Sequence, residues 1–180
     1  LDLWATAQPR KGASLTSVAN WKHKGKDVIW QGEAWRWSKH HEFMKFIQLP
    51  SKARLPMELA VGAINEAEKE QLESYGWGTR PSGTLDAPGD YRQYILDSLG
   101  EFSVAKEQYV RPRSGWFSDR SVCYLAAGRP VIMQDTGFGK FIPTGEGLFA
   151  YTTEDEALAA IDAIARNYKY HSAAALEIAR

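Results

Sequence analysis

Residues 118–134 read SDRSVCYLAAGRPVIMQ, and this stretch decides the fold. It begins with a serine at the position of a helix N-cap, and a helical pattern follows over Asp119–Ala127. Gly128 stands directly after the last turn and is followed by Pro130, which is the usual end of a helix. Val131–Gln134 is then a short apolar strand. The stretch therefore predicts a helix that leads straight into a strand, as in an α/β fold.

The same alternation of strands and helices continues on both sides of this stretch. The other predicted strands are Leu15–Trp21, Met57–Val61, Phe102–Ala105 and Leu148–Tyr151. Five other helices are predicted. The first starts at Ser38 and stops at Pro50, the second runs from Asn65 to about Tyr75, and the third starts at Pro88 and ends before Gly100. The fourth starts at a Thr153/Glu156 capping box, and the fifth covers Ser172–Arg180. Val28–Trp37 fits neither pattern clearly. The alternation predicts an α/β, Rossmann-like open parallel sheet with helices on both faces.

The composition indicates one soluble globular domain over residues 1–180. Hydrophobic residues make up 44% of the chain, and no apolar run approaches the roughly 20 residues of a transmembrane segment. Lys and Arg number 22 and so do Asp and Glu, so the net charge gives no reason to expect a nucleic acid or an anionic membrane as partner.

The single cysteine and the first residues lead to two further expectations. Cys123 cannot form an internal disulfide, which favours the cytoplasm, and within a predicted helix we expect it to be a small buried hydrophobe. The chain opens Leu1-Asp2-Leu3-Trp4 without an initiator Met or a secretory signal. We therefore expect a piece of a longer, two-domain protein.

The loop before residue 118 is the best candidate for binding an anion, because ligands of open parallel sheets lie beyond the carboxyl ends of the strands. Free amides at a helix N-terminus favour phosphate, Gly115 lets the main chain come close, and Arg113 can donate to two oxygens. The residues proposed for this diphosphate site are Lys106, Arg113, Ser114, Gly115, Trp116, Ser118 and Arg120. The alternative is that Arg113 and Arg120 pair with surface carboxylates while Trp116 fills the core.

Two further loops carry candidate contacts. Asp135, Thr136, Gly137 and Phe138 follow a strand and are suited to hold sugar or phosphate oxygens, although an ordinary glycine-bearing turn is equally consistent with them. The loop Lys22-His23-Lys24-Gly25-Lys26 is strongly basic. Lys22 is a candidate contact there, and a solvated loop is the alternative.

Several other classes of site lack their sequence signatures. Neither the G-x-G-x-x-G of a dinucleotide fold nor the G-x-x-x-x-G-K-[ST] of a P-loop follows a strand, which argues against an oxidoreductase. His40, His41 and Glu42 are adjacent and cannot converge on a metal from one helix face, so we expect no metal site. Trp30, Trp35 and Trp37 are candidates for stacking on a sugar or base, or for contacting a neighbouring domain.

From Gly100 onward, the order of residues resembles the C-terminal, donor-nucleotide-binding domain of GT-B-fold glycosyltransferases. The segments that carry the resemblance are 114–118 SGWFS, 124–132 YLAAGRPVI, 134–137 QDTG and 146–148 EGL, with the helix 154–166 after them. Residues 18–22 and 41–43 look like the first strand and helix of the same domain in bacterial uncharacterised glycosyltransferase-like proteins.

This resemblance implies a nucleoside diphosphate sugar as substrate, no separate cofactor, and an N-terminal GT-B domain as the missing partner. It implies diphosphate contacts near Lys22, Lys106, Arg113 and the helix after Ser118, with the sugar near 135–138. Many retaining members carry two glutamates around this helix, and the matching positions here are Gly115 and Cys123. The catalytic base of inverting relatives comes from the N-terminal domain, and the resemblance names no catalytic residue in this chain.

The leading hypothesis is thus the donor-binding half of a glycosyltransferase that moves a sugar to an unknown acceptor, inactive in isolation. The alternative is a non-catalytic GT-B-like binding or assembly module.

Overall fold

The protein is built around a six-stranded parallel sheet. The computed structural model describes residues 2–4, 9–23 and 26–180, so Leu1 and the loop residues Lys24 and Gly25 lie outside the described residues. The sheet comprises β1 Leu15–Asn20, β4 Met57–Gly62, β5 Gly78–Pro81, β6 Gly100–Ser103, β7 Val131–Gln134 and β8 Leu148–Tyr151. A separate antiparallel hairpin pairs β2 Val28–Trp30 with β3 Glu33–Trp35.

The strand order identifies where this sheet can hold a ligand. The order across the sheet is β5-β4-β1-β6-β7-β8, so its six strands, counted along the chain, lie as 3-2-1-4-5-6. This is the order of the classical doubly wound Rossmann sheet, in which the direction of winding reverses between the first and fourth strands. The reversal here falls between β1 and β6. The predicted Rossmann-like α/β class is confirmed.

Helices cover both faces of the sheet. They are α1 His40–Phe43, α2 Leu49–Lys52, α3 Glu66–Ser74, α4 Pro88–Asp97, α5 Glu107–Val110, α6 Asp119–Ala126, α7 Glu154–Arg166 and α8 Tyr168–Ile178. The capping boxes predicted from Asn65 and Thr153 are both present, each with its side chain accepting from the N3 amide.

Two hydrophobic clusters lie on opposite faces of the sheet. In β7, Ile132 belongs to one cluster, whereas Val131 and Met133 belong to the other, as the period of two in a strand requires. The first cluster is formed by Leu15, Phe43, Trp77, Phe102, Tyr151 and Ile161, among others. The second includes Ile95, Tyr124, Leu125, Phe138 and Ala175. Because both faces of the sheet are covered, every residue of β6 and β7 is buried.

The structure differs from the predicted elements near Ser38 and Pro50. The N-cap of α1 is Lys39, and the Ser38 side chain makes no cap hydrogen bond. Pro50 does not stop a helix; it lies in the first turn of α2, where its missing amide costs nothing.

Other differences concern strands that the local pattern did not reveal. β5 is four residues long and mostly exposed, and its single Pro81 falls at an edge strand, where proline is tolerated. The unassigned segment 28–37 contains the β2–β3 hairpin, whose turn uses Gly32 and a left-handed Gln31 (φ 50°). α8 begins at Tyr168, earlier than the predicted Ser172.

Within the described ranges of the chain, none of the helices combines the length and the apolar character needed to cross a bilayer.

Candidate functional site

A cavity of about 420 Å³ opens at the carboxyl ends of β1 and β6, the place where open α/β sheets bind their ligands. The described residues lining it are Val18, Ala19, Asn20, His23, Lys39, Ser82, Leu85, Asp86, Tyr91, Lys106 and Arg120. Among them are two residues that the sequence predicted as ligand contacts, Lys106 and Arg120. Lys39 adds a second ammonium group and His23 an imidazole to this cavity, here called the switch cavity, and sequence reasoning did not single them out.

Lys39 lies at the switch cavity because hydrogen bonds tie the start of α1 to the end of β1. The Ser38 hydroxyl donates to the carbonyl of His23 (2.9 Å) and accepts from the amide of the same residue (2.8 Å). His40 Nδ1 lies 3.2 Å from the carbonyl oxygen of Trp21. A signal for Lys39 was present in the sequence, since it opens the first helix after the first strand, beside the switch point of any doubly wound sheet.

The ammonium groups of Lys39 and Lys106 rest on aromatic rings. Lys106 Nζ lies 3.3 Å from the ring centroid of Trp37, and Lys39 Nζ lies 6.0 Å from that of Trp116. Neither lysine forms an ion pair with a carboxylate in the part of the chain that the structure describes. Cation–π contacts stabilise an ammonium group without neutralising its charge. Both charges therefore remain available to an anion in the switch cavity.

The electrostatics of the switch cavity disfavour further positive charge. Burial, followed by the nearby Arg120 guanidinium, lowers the pKa of Lys39 to about 7. Burial and the charge of Lys26 also lower the pKa of Lys106. The pKa of His23 is lowered by burial and then by Lys106. A bound anion would reverse these shifts, because it stabilises each charged form.

Arg120 differs from the lysines because its charge is already balanced. Its Nε donates to Glu101 Oε1 at 2.7 Å, with the carboxylate fully buried and the guanidinium side chain only 17% exposed. The Ser121 hydroxyl donates to the second oxygen of the same carboxylate at 2.5 Å. Arg120 thus forms part of the wall and retains limited capacity for a ligand. This agrees with the alternative that the sequence left open, pairing with a carboxylate, although Glu101 is a core residue.

An aromatic stack stands behind the two lysines. Trp116 stacks on Tyr109 with ring centroids 4.8 Å apart, and Trp37 meets Tyr109 edge-on at 6.0 Å. Gln108 fastens the hairpin to α5 by donating to the carbonyl oxygen of Trp35 (2.8 Å). Trp116, predicted as a direct ligand contact, therefore supports Lys39 in this structure.

The two predicted loops, 113–118 and 135–138, do come together, but they bond to each other. Arg113 Nη2 lies 2.8 Å from Asp135 Oδ2. The amide of Gly115 donates to the carbonyl of Thr136 at 2.7 Å, and the Thr136 hydroxyl donates back to the carbonyl of Trp116. The Asp135 carboxylate also accepts from the amide of Gly137 (2.7 Å). Several groups expected to meet a phosphate are thus already hydrogen-bonded.

The N-terminus of α6 is also partly compensated. Asp119 lies in its first turn, and its Oδ1 accepts from the backbone amide of Arg120 at 2.9 Å. A carboxylate at this position complements the positive helix end. Ser118 occupies the N-cap position and is buried, but its side chain makes no cap hydrogen bond.

The remaining predicted contacts lie elsewhere. Lys22 forms an ion pair with Glu68 at 2.6 Å, at the start of α3, and is not among the lining residues of the switch cavity. The Ser114 hydroxyl accepts from the amide of Trp116 at 3.3 Å. Phe138 is buried and packs against Phe117 with ring centroids 5.2 Å apart.

Neither a nucleophile nor a metal site emerges from the other candidates. Cys123 is half-buried, and burial raises the pKa of its thiol, which disfavours the reactive thiolate. The ring centroids of His40 and His41 lie 3.8 Å apart, with the ring planes tilted by 37°. Over residues 2–4, 9–23 and 26–180, the structure contains no group of three or more His, Cys, Asp or Glu side chains placed to hold a metal ion.

Comparison with known proteins supports the fold. No protein-family model matches the sequence, and no curated protein does. Over 97% of its length the chain resembles a chain in the crystal structure of a GtfA/B complex, with a TM-score of 0.52 and 14% sequence identity. At this level of identity the match shows only that the two chains share the Rossmann-like α/β fold. The chain spans about a third of the matched chain, 33% of its length.

Proposed function

We propose that this chain binds the diphosphate of a nucleoside diphosphate sugar in the switch cavity, as the donor-binding part of a GT-B-type glycosyltransferase. The rest of that enzyme would supply the acceptor site and the catalytic base. The observation that carries the proposal is the pair Lys39 and Lys106, which reach a cavity at the switch point with no carboxylate partner among the described residues.

The physical reason is that uncompensated charge in a partly desolvated cavity is costly, and an anion removes that cost. Burial lowers the pKa of both lysines, which means that their charged forms are destabilised in the absence of an anion. A diphosphate carries enough negative charge for both ammonium groups and for His23. Charge-assisted hydrogen bonds of this kind are about twice as strong as neutral ones.

A second candidate function is a non-catalytic GT-B-like binding module. It is favoured by the ion pair between Arg113 and Asp135, because these two residues would otherwise be free to contact diphosphate and sugar. The positions where the resemblance places glutamates are also occupied by Gly115 and Cys123. A module of this kind would retain an anion site without selecting a complete sugar donor.

The test is thermal unfolding of the purified chain with pyrophosphate, UDP, GDP, ADP and the corresponding nucleotide sugars. A ligand at 100 times its Kd stabilises a protein by about 2.7 kcal/mol, which gives a clear shift. Lys106→Met should abolish the shift, whereas Lys169→Met, at an exposed lysine on α8, should leave it unchanged. A stronger shift with one nucleotide than with pyrophosphate supports donor binding.

Two other outcomes would count differently. A response to pyrophosphate alone favours the binding module. If none of the compounds shifts the unfolding temperature, or if Lys106→Met retains the full shift, the switch cavity is not the diphosphate site. Arg113→Ala tests whether the two predicted loops contribute to binding. If this variant binds as tightly as the wild type, the role of Arg113 is limited to its ion pair with Asp135.

A further inference from the structure

Three other residues that line the switch cavity differ in chemical character from the lysines. Asn20 ends β1, while Ser82 and Asp86 follow β5, two strands away in the sheet. Their side chains offer an amide, a hydroxyl and a carboxylate. Asp86 is the one carboxylate among the described residues that line the cavity.

Gly62 allows the amide and the hydroxyl of this set to approach each other. It ends β4, between β1 and β5, and a Cβ built at this position would lie 2.5 Å from Ser82 Oγ and 2.8 Å from Asn20 Oδ1. Real Cβ contacts are longer than this, so any larger residue would displace one or both groups. The glycine therefore leaves space at the end of β4 into which two polar side chains converge.

The side chains of Asn20, Ser82 and Asp86 make no hydrogen bond or ion pair with other described residues. This contrasts with Arg113, Asp135 and Arg120, whose polar groups are engaged within the fold. Convergent polar groups that are not used by the protein itself are typical of a ligand site.

The number of strands whose ends adjoin the switch cavity suits a ligand with two different parts. From β5 through β4 and β1 to β6 there are three interstrand spacings, or about 14 Å at the usual spacing of parallel strands. That span is wider than a phosphate group and leaves room for a second moiety. Asp86 would repel a second anion, whereas carboxylate, amide and hydroxyl oxygens all accept hydrogen bonds from alcohols.

We propose that Asn20, Ser82 and Asp86 bind a vicinal diol of the ligand whose diphosphate lies against Lys39 and Lys106. The inference rests on the proposed function, since it assumes a diphosphate at the cationic end. The diol belongs either to the ribose of the nucleotide or to the transferred sugar. Asp86 accepts from both hydroxyls, and the other two residues fix the position of the ring.

The test is calorimetric titration of the chain with pyrophosphate, with ADP, UDP and GDP, with their 2′-deoxy forms, and with UDP-glucose. Asp86→Asn keeps the size of an exposed side chain and should not disturb folding. It should weaken the binding of the diol-bearing probes about 10- to 100-fold, the usual value of hydrogen bonds to a charged group, and leave pyrophosphate unchanged. Asp90→Asn, on an exposed acid of α4 outside this cavity, is the matched control.

The probes distinguish the two sources of the diol. If the 2′-deoxy nucleotides bind the wild type as weakly as the ribonucleotides bind Asp86→Asn, the diol is the ribose. If only UDP-glucose loses affinity in the variant, the diol is that of the transferred sugar. Gly62→Ala should reproduce the loss, because its methyl group occupies the space that Ser82 and Asn20 share.

Failure of this inference can be told from failure of the proposed function. Pyrophosphate binding that depends on Lys106, together with unchanged nucleotide binding in Asp86→Asn, overturns only the diol site. An equal change for pyrophosphate and all other probes also overturns it, because that result reports the lost charge alone. Absence of binding by every probe overturns both proposals.

Discussion

Anion binding in the switch cavity should weaken steeply as the pH rises through neutrality, because Lys39 loses its charge there. Burial and the neighbouring Arg120 lower the pKa of Lys39 to about 7. A lysine is positive below its pKa, so this side chain is charged at pH 6 and mostly neutral at pH 8. An ordinary surface lysine stays charged throughout that interval.

The size of the effect follows from the charged fraction of Lys39. With a pKa of about 7, that fraction is about 0.9 at pH 6 and about 0.1 at pH 8. If the anion requires the charged form, the apparent dissociation constant is the intrinsic one divided by this fraction, so affinity falls about tenfold between the two values. The titration of His23 lies lower, because its pKa is also lowered, and it contributes chiefly to the acid side of the range.

Sulfate is the appropriate probe, because it remains a dianion from pH 6 to pH 8, whereas phosphate itself titrates there. Calorimetric titration of the wild type, of Lys39→Arg and of His23→Gln at several pH values measures the slope. Lys39→Arg should bind with a nearly constant affinity, since arginine stays charged. The charged groups that act on the pKa of Lys39 are Arg120, Glu101, Lys106 and Asp119, and the other titratable groups that line the cavity are His23, Asp86 and Tyr91.

Two results would refute this reasoning. Sulfate affinity that is constant over the interval in the wild type would mean that Lys39 does not contact the anion in its charged form. An equal slope in Lys39→Arg would assign the titration to another group, and loss of the slope in His23→Gln would identify that group as His23.

Two further predictions concern the framework of the site. Glu101→Gln should lower the free energy of unfolding by about 3–5 kcal/mol, because it leaves the buried Arg120 guanidinium without its counter-charge. Chemical denaturation measures this change, and a decrease of less than about 1 kcal/mol would show that the ion pair is effectively solvated. Gly147→Ala should prevent stable folding, since its Cβ would lie 2.3 Å from the Ala175 amide nitrogen of α8 at a positive φ of 71°; a wild-type melting temperature for this variant would contradict the packing of α8 against the start of β8.

The fold was predictable from sequence where local signals and burial agree. The capping boxes at Asn65 and Thr153 and the glycine after α6 mark helix ends by backbone chemistry that tertiary contacts do not alter. Where the outcome depends on partners distant in sequence, prediction failed. β5 is a short, exposed edge strand that exists because β4 pairs with it, and nothing in its four residues indicates that pairing.

The switch cavity lies at the edge of the sheet where the sequence predicted a ligand, but of the predicted contacts only Lys106 and Arg120 line it. The prediction emphasised Arg113 and the 135–138 loop, because a cation and a glycine-bearing turn beside a helix are the usual sequence signs of phosphate binding. Whether such groups are free to bind a ligand depends on their hydrogen bonds and ion pairs with residues that are distant in sequence. The ion pair between Arg113 and Asp135 joins residues 22 positions apart, and the sequence carries no sign of it.

The first turn of α6 explains why the unpaired charges of the switch cavity are those of Lys39 and Lys106. Asp119 in the first turn of α6 and Glu101 beneath it take up the positive end of the helix and the Arg120 charge, so the helix terminus has little left to offer an anion. The lysines differ because their ammonium groups contact aromatic rings, which hold an ammonium group in place but cannot neutralise it. An anion in the switch cavity would therefore be bound by Lys39, at the start of α1, and by Lys106, which follows β6. Such a site depends on the strand order of the whole sheet, and only the assembled fold brings the two lysines to one cavity.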